Sequence, residues 1–252
     1  MPLLTRRIPF SHTDPYRSVR PATSKIIFLS FEGSVTEEEY FIRISALFDE
    51  IKTKIQFISV AEDSVHTSPR CRTAEQLELL SKGRPKQLVE RIDQFKVEKN
   101  HIYQFDAYPD DEFWIVTDVD QNWEPLWIDE WNEAIAMCNE KQYGYAISNP
   151  FFEMWLLLHH DDPTDDDKAF AVTETQNYQK TSHFRDRLQS LGVPLKKQKH
   201  ISDSDYTVAN VMAAITRAEA LHTDKSELCP KYFATTVYLL LNKMIEMIPS
   251  EN

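Results

Sequence analysis

The sequence predicts an α/β fold: a parallel sheet flanked by helices, followed by a helical C-terminal extension. Three observations predict it. Between residues 25 and 160, short apolar runs of strand length alternate with longer stretches of helical periodicity. That order arises when parallel strands are joined by crossover helices. Beyond residue 160 the remaining pattern is helical. Only 4 glycines occur, Gly33, Gly83, Gly144 and Gly192, and none lies close to another. A dinucleotide-binding turn or a Walker A loop needs clustered glycines so that backbone can approach phosphate, so both are excluded.

Residues 1–24 are basic and punctuated by proline, and read as an arm without regular structure. Lys25–Phe31 (KIIFLSF) is mostly apolar, as in a strand buried on both faces. Glu32-Gly33-Ser34 breaks it. Thr36-Glu37-Glu38-Glu39 has the spacing of a capping box and opens a helix to about Lys52. Ile55–Val60 is a second strand, 61–73 a loop, and Thr73–Leu80 helical. Pro85 starts a helix whose Leu88, Ile92 and Phe95 share a face. Phe113–Thr117 is a third strand, ending in Asp118-Val119-Asp120, and Trp127–Glu140 is helical. Tyr143–Ser148 is a fourth strand, which Asn149-Pro150 stops, opening a helix from Phe151 to His160. An acidic loop at 161–167 precedes helices at about 179–191, 206–222 and 231–247. The expected division is an arm (1–24), an α/β domain (25–160) and a helical region (161–252).

Composition excludes several classes. With 3 cysteines far apart among 252 residues, neither a disulfide framework nor a C-x-x-C zinc site can form, and a reduced, cytoplasmic setting is expected. No run is long and apolar enough to span a membrane, and no apolar segment follows Arg6 and Arg7 to make a secretory signal. The net charge of −12 is unevenly spread. His101 to Glu140 carries 11 acids and no Lys or Arg, and Asp161 to Asp167 adds 5 more. Lys180 to His200 carries 6 basic residues against Asp186 alone, and the arm is also basic. Basic faces beside an acidic, cation-seeking region are compatible with phosphate-bearing partners.

In a parallel α/β sheet, functional groups gather at the carboxyl ends of strands. Glu32 closes the first strand, and Asp118 and Asp120 close the third. Asp118 and Asp120, two apart on a strand, project to one side. If the first and third strands are neighbours, Glu32 joins them. Such a cluster needs a cation, and oxygen-only ligation suits Mg²⁺ or Mn²⁺. Gly33 permits a tight turn and close approach of a phosphate. A D-x-D pair alone is more often a solvated surface feature; its place after an apolar strand, with strand–Glu–Gly upstream, turns the reading toward a metal site.

Strand–Glu–Gly followed later by strand–D-x-D resembles the Toprim domain of topoisomerases, primases and nucleases. More specifically, the chain resembles the RloB family. The matching stretches are Phe31-Glu32-Gly33 to Tyr40-Phe41, then Trp114 to Asp120 (WIVTDVD), then Ser148 to His159 (SNPFFEMWLLLH), which resembles an SNP-x-FE-x-WLLLH block. Tyr178 to Lys180 and Thr236 to Leu239 resemble weaker blocks, with Gln179 where a histidine is expected. The resemblance implies a Toprim-like sheet and a metal-dependent nuclease acting as toxic effector in abortive infection. It also implies an AAA-type ATPase partner and nucleic acid as substrate, RNA favoured over DNA and tRNA first among RNAs, with a homodimer as one possible assembly. The alternatives are a non-catalytic Toprim module that docks on and regulates the ATPase, and a DNA endonuclease.

In this reading Glu32, Asp118, Asp120 and Glu153 are catalytic, and the first three also hold the metal. Gly33, Thr36, Asn149 and Lys180 contact substrate. Each has a plainer alternative. Glu153, in an otherwise apolar helix, serves the site or is the buried partner of an arginine. Asn149 and Thr36 suit helix caps. Lys180 and the basic residues to Lys199 suit a solvated face. His159-His160-Asp161-Asp162 reads as a solvated helix end, and Trp114, Trp127, Trp131 and Trp155 read as core.

Overall fold

The apolar run Lys25–Phe31 forms β1, buried from Ile26 onward, because it lies inside the sheet with a strand on either side. The computed structural model describes residues 25–32, 35–48, 55–59, 85–119, 125–173, 182–195, 200–226, 229–230 and 232–245. The expected helix at Thr73–Leu80 lies outside these residues, as do the arm, Gly33, Asp120 and Lys180.

From β1 the chain runs through α1 (Thr36–Leu47), β2 (Ile55–Ser59), α2 (Pro85–Tyr103), β3 (Glu112–Asp118), α3 (Pro125–Lys141), β4 (Gly144–Asn149) and α4 (Phe152–Leu157). The sheet has 5 strands in the order β2-β1-β3-β4-β5. Strands β1 to β4 pair in parallel, as the alternation predicts. Register places Phe31 beside Val116 and Asp118 beside Ser148, so β1, β3 and β4 end together at one edge.

Strand alternation sorts the core into two layers. Ile27, Leu29 and Phe31 of β1, with Trp114 and Val116 of β3, face α1, α4 and the C-terminal helices. Ile26 and Phe28, with Phe113 and Ile115, face α2 and α3. In the second layer Phe28 lies against Phe113 with ring centroids 4.9 Å apart, and Phe95, Tyr103 and Phe105 also surround it.

The C-terminal region departs from the expected run of helices in two places. Asp165–Thr173 is a helix, α5, where the sequence reads as an acidic loop running into undefined chain. Its start is a capping box: the Thr164 hydroxyl accepts from the Asp167 amide at 3.2 Å, and Asp167 accepts from the Thr164 amide at 2.8 Å. After α6 (Ser182–Ser190) and α7 (Val208–Leu221), Ala234–Thr235 forms a short strand, β5, antiparallel to β4. Only then does α8 (Val237–Ile245) begin. Residues 230–236 fasten on β4 through Thr236, which accepts from the Ile147 amide at 2.8 Å, and through the Pro230 carbonyl. Phe184, Leu188, Val211, Val237 and Leu241 share one core with the sheet.

The capping box expected at Thr36 is absent. The N-cap of α1 is Val35, whose side chain has no acceptor, and Thr36 is the first helical residue. Glu39, the expected reciprocal partner, instead accepts from the Ile201 amide at 2.9 Å and pairs with His200. It ties α1 to a segment 162 residues further on.

Candidate active site at the carboxyl edge of the sheet

Because β1 and β3 are neighbours in register, the chain leaving β1 continues the ladder for one more bond: the Glu32 amide donates to the Val116 carbonyl at 3.0 Å. The Glu32 side chain then lies over the end of β3. One carboxylate oxygen accepts from the Thr117 hydroxyl at 2.6 Å and from the Asp118 amide at 2.9 Å. Two donors fixed by the strand hold this carboxylate in one orientation. Beneath the same turn the buried Arg91 of α2 donates to the Phe31 carbonyl at 2.9 Å. Burial pulls the Arg91 pKa down to about 10.

Asp118, the last residue of β3, is held well above the usual carboxylate range. Burial is the main cause, and the charges of Glu32, Glu37 and Glu153 add to it; the Phe152 amide at the start of α4 opposes it. Four carboxylates from β1, α1, β3 and α4 thus act on one another at the strand ends. Burial and these neighbours together disfavour the charged form of Asp118.

Glu153 fits both of its alternatives. It is buried, and one oxygen accepts two bonds from Arg185 of α6, at 3.0 Å from Nε and 2.8 Å from Nη2. It also belongs to the group that raises Asp118. Asn149 is fully buried but caps nothing: its amide donates to the Pro230 carbonyl at 2.7 Å, and Phe151 is the N-cap of α4. Thr36 is buried at the start of α1. The sequence reading missed Thr117, Glu37, Arg91 and Arg185. Arg185 lay in a visible basic stretch, and Thr117 and Glu37 lay inside stretches that carry the resemblance; Arg91 carried no signal beyond its residue type.

His159 is not part of a solvated helix end. It is 3% exposed, accepts from the Tyr40 hydroxyl at Nε2 (3.0 Å) and donates from Nδ1 to the Trp155 carbonyl at 2.9 Å. Burial lowers its pKa to about 3, so the ring is neutral. Asp161 and Asp162 pair with Arg187 and Arg217, at 2.9 and 2.8 Å. Trp114, Trp131 and Trp155 are core, as expected, and the Trp127 side chain lies outside the described set.

The donors at the strand ends are all oxygen, which in kind suits a hard dication such as Mg²⁺ or Mn²⁺. Among the described residues no three His, Cys, Asp or Glu side chains converge closely enough to hold a metal ion. Asp120, the remaining acid of the D-x-D pair, lies outside them. No helix among the described residues is long and apolar enough to cross a membrane.

A family model described as RloB-like protein matches residues 27–244. No curated protein and no solved structure matches the chain.

Proposed function

The chain belongs to the RloB-like protein family, and on that premise we propose that it is a divalent-cation-dependent nuclease. It hydrolyses phosphodiester bonds at the carboxylates that close β1 and β3. One observation carries the reading. Glu32 and Asp118, 86 residues apart in sequence, are bonded at adjacent strand ends, where burial and the charges of Glu32, Glu37 and Glu153 raise the Asp118 pKa. A strongly perturbed carboxyl at a strand end is the kind of group that gathers at functional sites.

In this reading Asp118 and Asp120 hold Mg²⁺ or Mn²⁺, with Glu32 as further ligand or as general base. A bound cation would supply charge stabilisation at phosphorus and acidify water. Thr117 and the Asp118 amide aim the Glu32 carboxylate. Arg185 holds the Glu153 carboxylate in place through two bonds to one oxygen. RNA is the favoured substrate, tRNA first among RNAs, in the cytoplasm. The chain acts as the toxic effector of an abortive-infection system and is held inactive by an AAA-type ATPase. These finer points rest on the resemblance.

The test is cleavage of RNA and DNA by purified protein in Mg²⁺, with ends sequenced, against a folded Glu32→Ala control. Cutting by the wild type alone, weakened at higher salt, supports the reading. Equal cutting by both proteins, or none by either, sinks it. A second reading has its own observation: three acids do not converge among the described residues, which suits a non-catalytic module docked on the ATPase. If Glu32→Ala protects infected cells as well as the wild type does, that second reading replaces the first.

A further inference from the structure

At the amino ends of the strands, opposite the carboxylates, the chain leaves a cleft of about 980 Å³. That is the size of a small-molecule site. Its walls gather lysines from four elements: Lys25 of β1, Lys96 of α2, Lys141 of α3 and Lys243 of α8. Three have carboxylate partners. Lys25 and Lys243 both pair with Glu112, and Lys141 lies 3.1 Å from Asp93.

Lys96 differs. Its ammonium stands over the rings of Phe113 and Tyr143, 4.5 and 5.1 Å from their centroids. Among the described residues it makes no ion pair, and Asp93 and Asp106 act on it only at longer range. Burial lowers its pKa, and the nearby charge of Lys141 adds to this. The ring contacts fix the ammonium in place without using its N–H donors. A half-buried ammonium with free donors, beside a second ammonium, is a receptor for an oxyanion.

The same cleft is lined by the exposed carboxylates Asp106 and Asp110. Carboxylates of this kind accept hydroxyl hydrogens, as from a ribose diol, and would repel a bare polyanion such as a triphosphate. We propose that this cleft binds a phosphate monoester carried on a sugar or nucleoside, with its phosphate at Lys96 and Lys141 and its hydroxyls at Asp106 and Asp110. The site is separate from the strand-end carboxylates and stands whether or not those cut nucleic acid.

The experiment is isothermal titration of the full chain at low ionic strength with AMP, ribose 5-phosphate, adenosine and inorganic phosphate. Both monoesters are expected to bind saturably, inorganic phosphate about 10-fold more weakly, and adenosine not at all. The ratio of AMP to ribose 5-phosphate affinity tells nucleoside from sugar. Lys96→Met, with unchanged circular dichroism, is expected to weaken both monoesters about 10-fold or more, and Lys96→Arg to retain most of the binding. Asp106→Asn is expected to weaken ribose 5-phosphate and leave inorganic phosphate unchanged. Glu32→Ala is expected to bind as the wild type does. No saturable monoester binding, indifference to Lys96→Met, or loss of binding in Glu32→Ala would each overturn the proposal.

Discussion

Asp167 in the acidic stretch 161–167 and Asp118 at the strand ends are both buried acids whose pKa values move in opposite directions. In the first stretch Asp161, Asp162 and Asp167 have cationic or amide partners. Asp161 pairs with Arg187 and Asp162 with Arg217. Asp167, with no exposed surface, accepts from the Thr164 amide and hydroxyl, from His183 at 2.7 Å, and lies near Arg187. Burial alone would raise the Asp167 pKa, but those partners outweigh it and hold the carboxyl below its ordinary value. At the strand ends Glu153 also has a cation, Arg185, and Glu32 has an amide and a hydroxyl, but the charges acting on Asp118 are those of other acids, and with burial they raise it. Density of carboxylates in the sequence is therefore a poor guide to chemistry. The sign of the charge facing a buried carboxyl decides which way its pKa moves.

The largest effect is expected where pairing is most complete. Asp167→Ala strips partners from His183, Arg187 and the start of α5, and should cost about 3 kcal/mol in urea unfolding at unchanged m-value. Arg185→Ala comes next. It leaves buried Glu153 without its cation and adds to the repulsion on Asp118, at about 2 kcal/mol, the guanidinium being partly solvated. Adding Glu153→Gln to it should recover part of that loss. A double variant as unstable as Arg185→Ala alone would show that Arg185 acts through packing rather than charge.

His159 sharpens the comparison through pH. Its folded pKa, about 3, lies below the unfolded value near 6.5. The stability of its neutral form is fully present above pH 6.5 and is lost as pH falls toward 3, with a slope of up to about 1.4 kcal/mol per pH unit. Between pH 5 and 6.5, where few carboxylates titrate, His159→Gln should flatten this slope; an unchanged slope assigns it to another group. The smallest effect has the opposite sign. Asp118→Asn removes one of several mutually repelling acids and should stabilise the fold by about 1 kcal/mol. If it destabilises as Asp167→Ala does, the two groups do not differ in kind.

The stretches that carry the family resemblance divide along the same line. Tyr40 and His159, from separate stretches, bond each other in the core. The Ser148 and Thr235 hydroxyls meet at 3.1 Å, and Thr236 closes the edge of β4. Asn149 anchors residues 230–236 rather than capping α4. Glu32 and Asp118 remain, bonded to each other at the strand ends, with the Asp118 pKa raised by its surroundings. They were legible because each is a charge directly after an apolar strand. Thr117 reads as strand and Glu37 as part of a capping box, while Arg91 falls within the helix that Pro85 opens, so nothing local placed them near the strand ends. The capping box was misplaced for a related reason. Thr36 and Glu39 have the spacing, but Glu39 bonds residues 200–201 instead. Thr164 and Asp167 have the same spacing and do form one.

Local sequence by itself determined the alternation of strands and helices, the two buried faces of β1, and the placing of Glu32 and Asp118 at strand ends. Periodicity and end residues encode these because they depend on which face of an element is buried, a property of a few consecutive residues. The tertiary structure decided the order β2-β1-β3-β4-β5 and, with it, the bond from Glu32 to the end of β3. It decided the antiparallel addition of β5, the arginine partners of Asp161 and Asp162, and the acids that face Asp118. Those are contacts across tens to more than a hundred residues. Their energies depend on which surfaces meet once the whole core has closed, and no window of neighbouring residues contains that information.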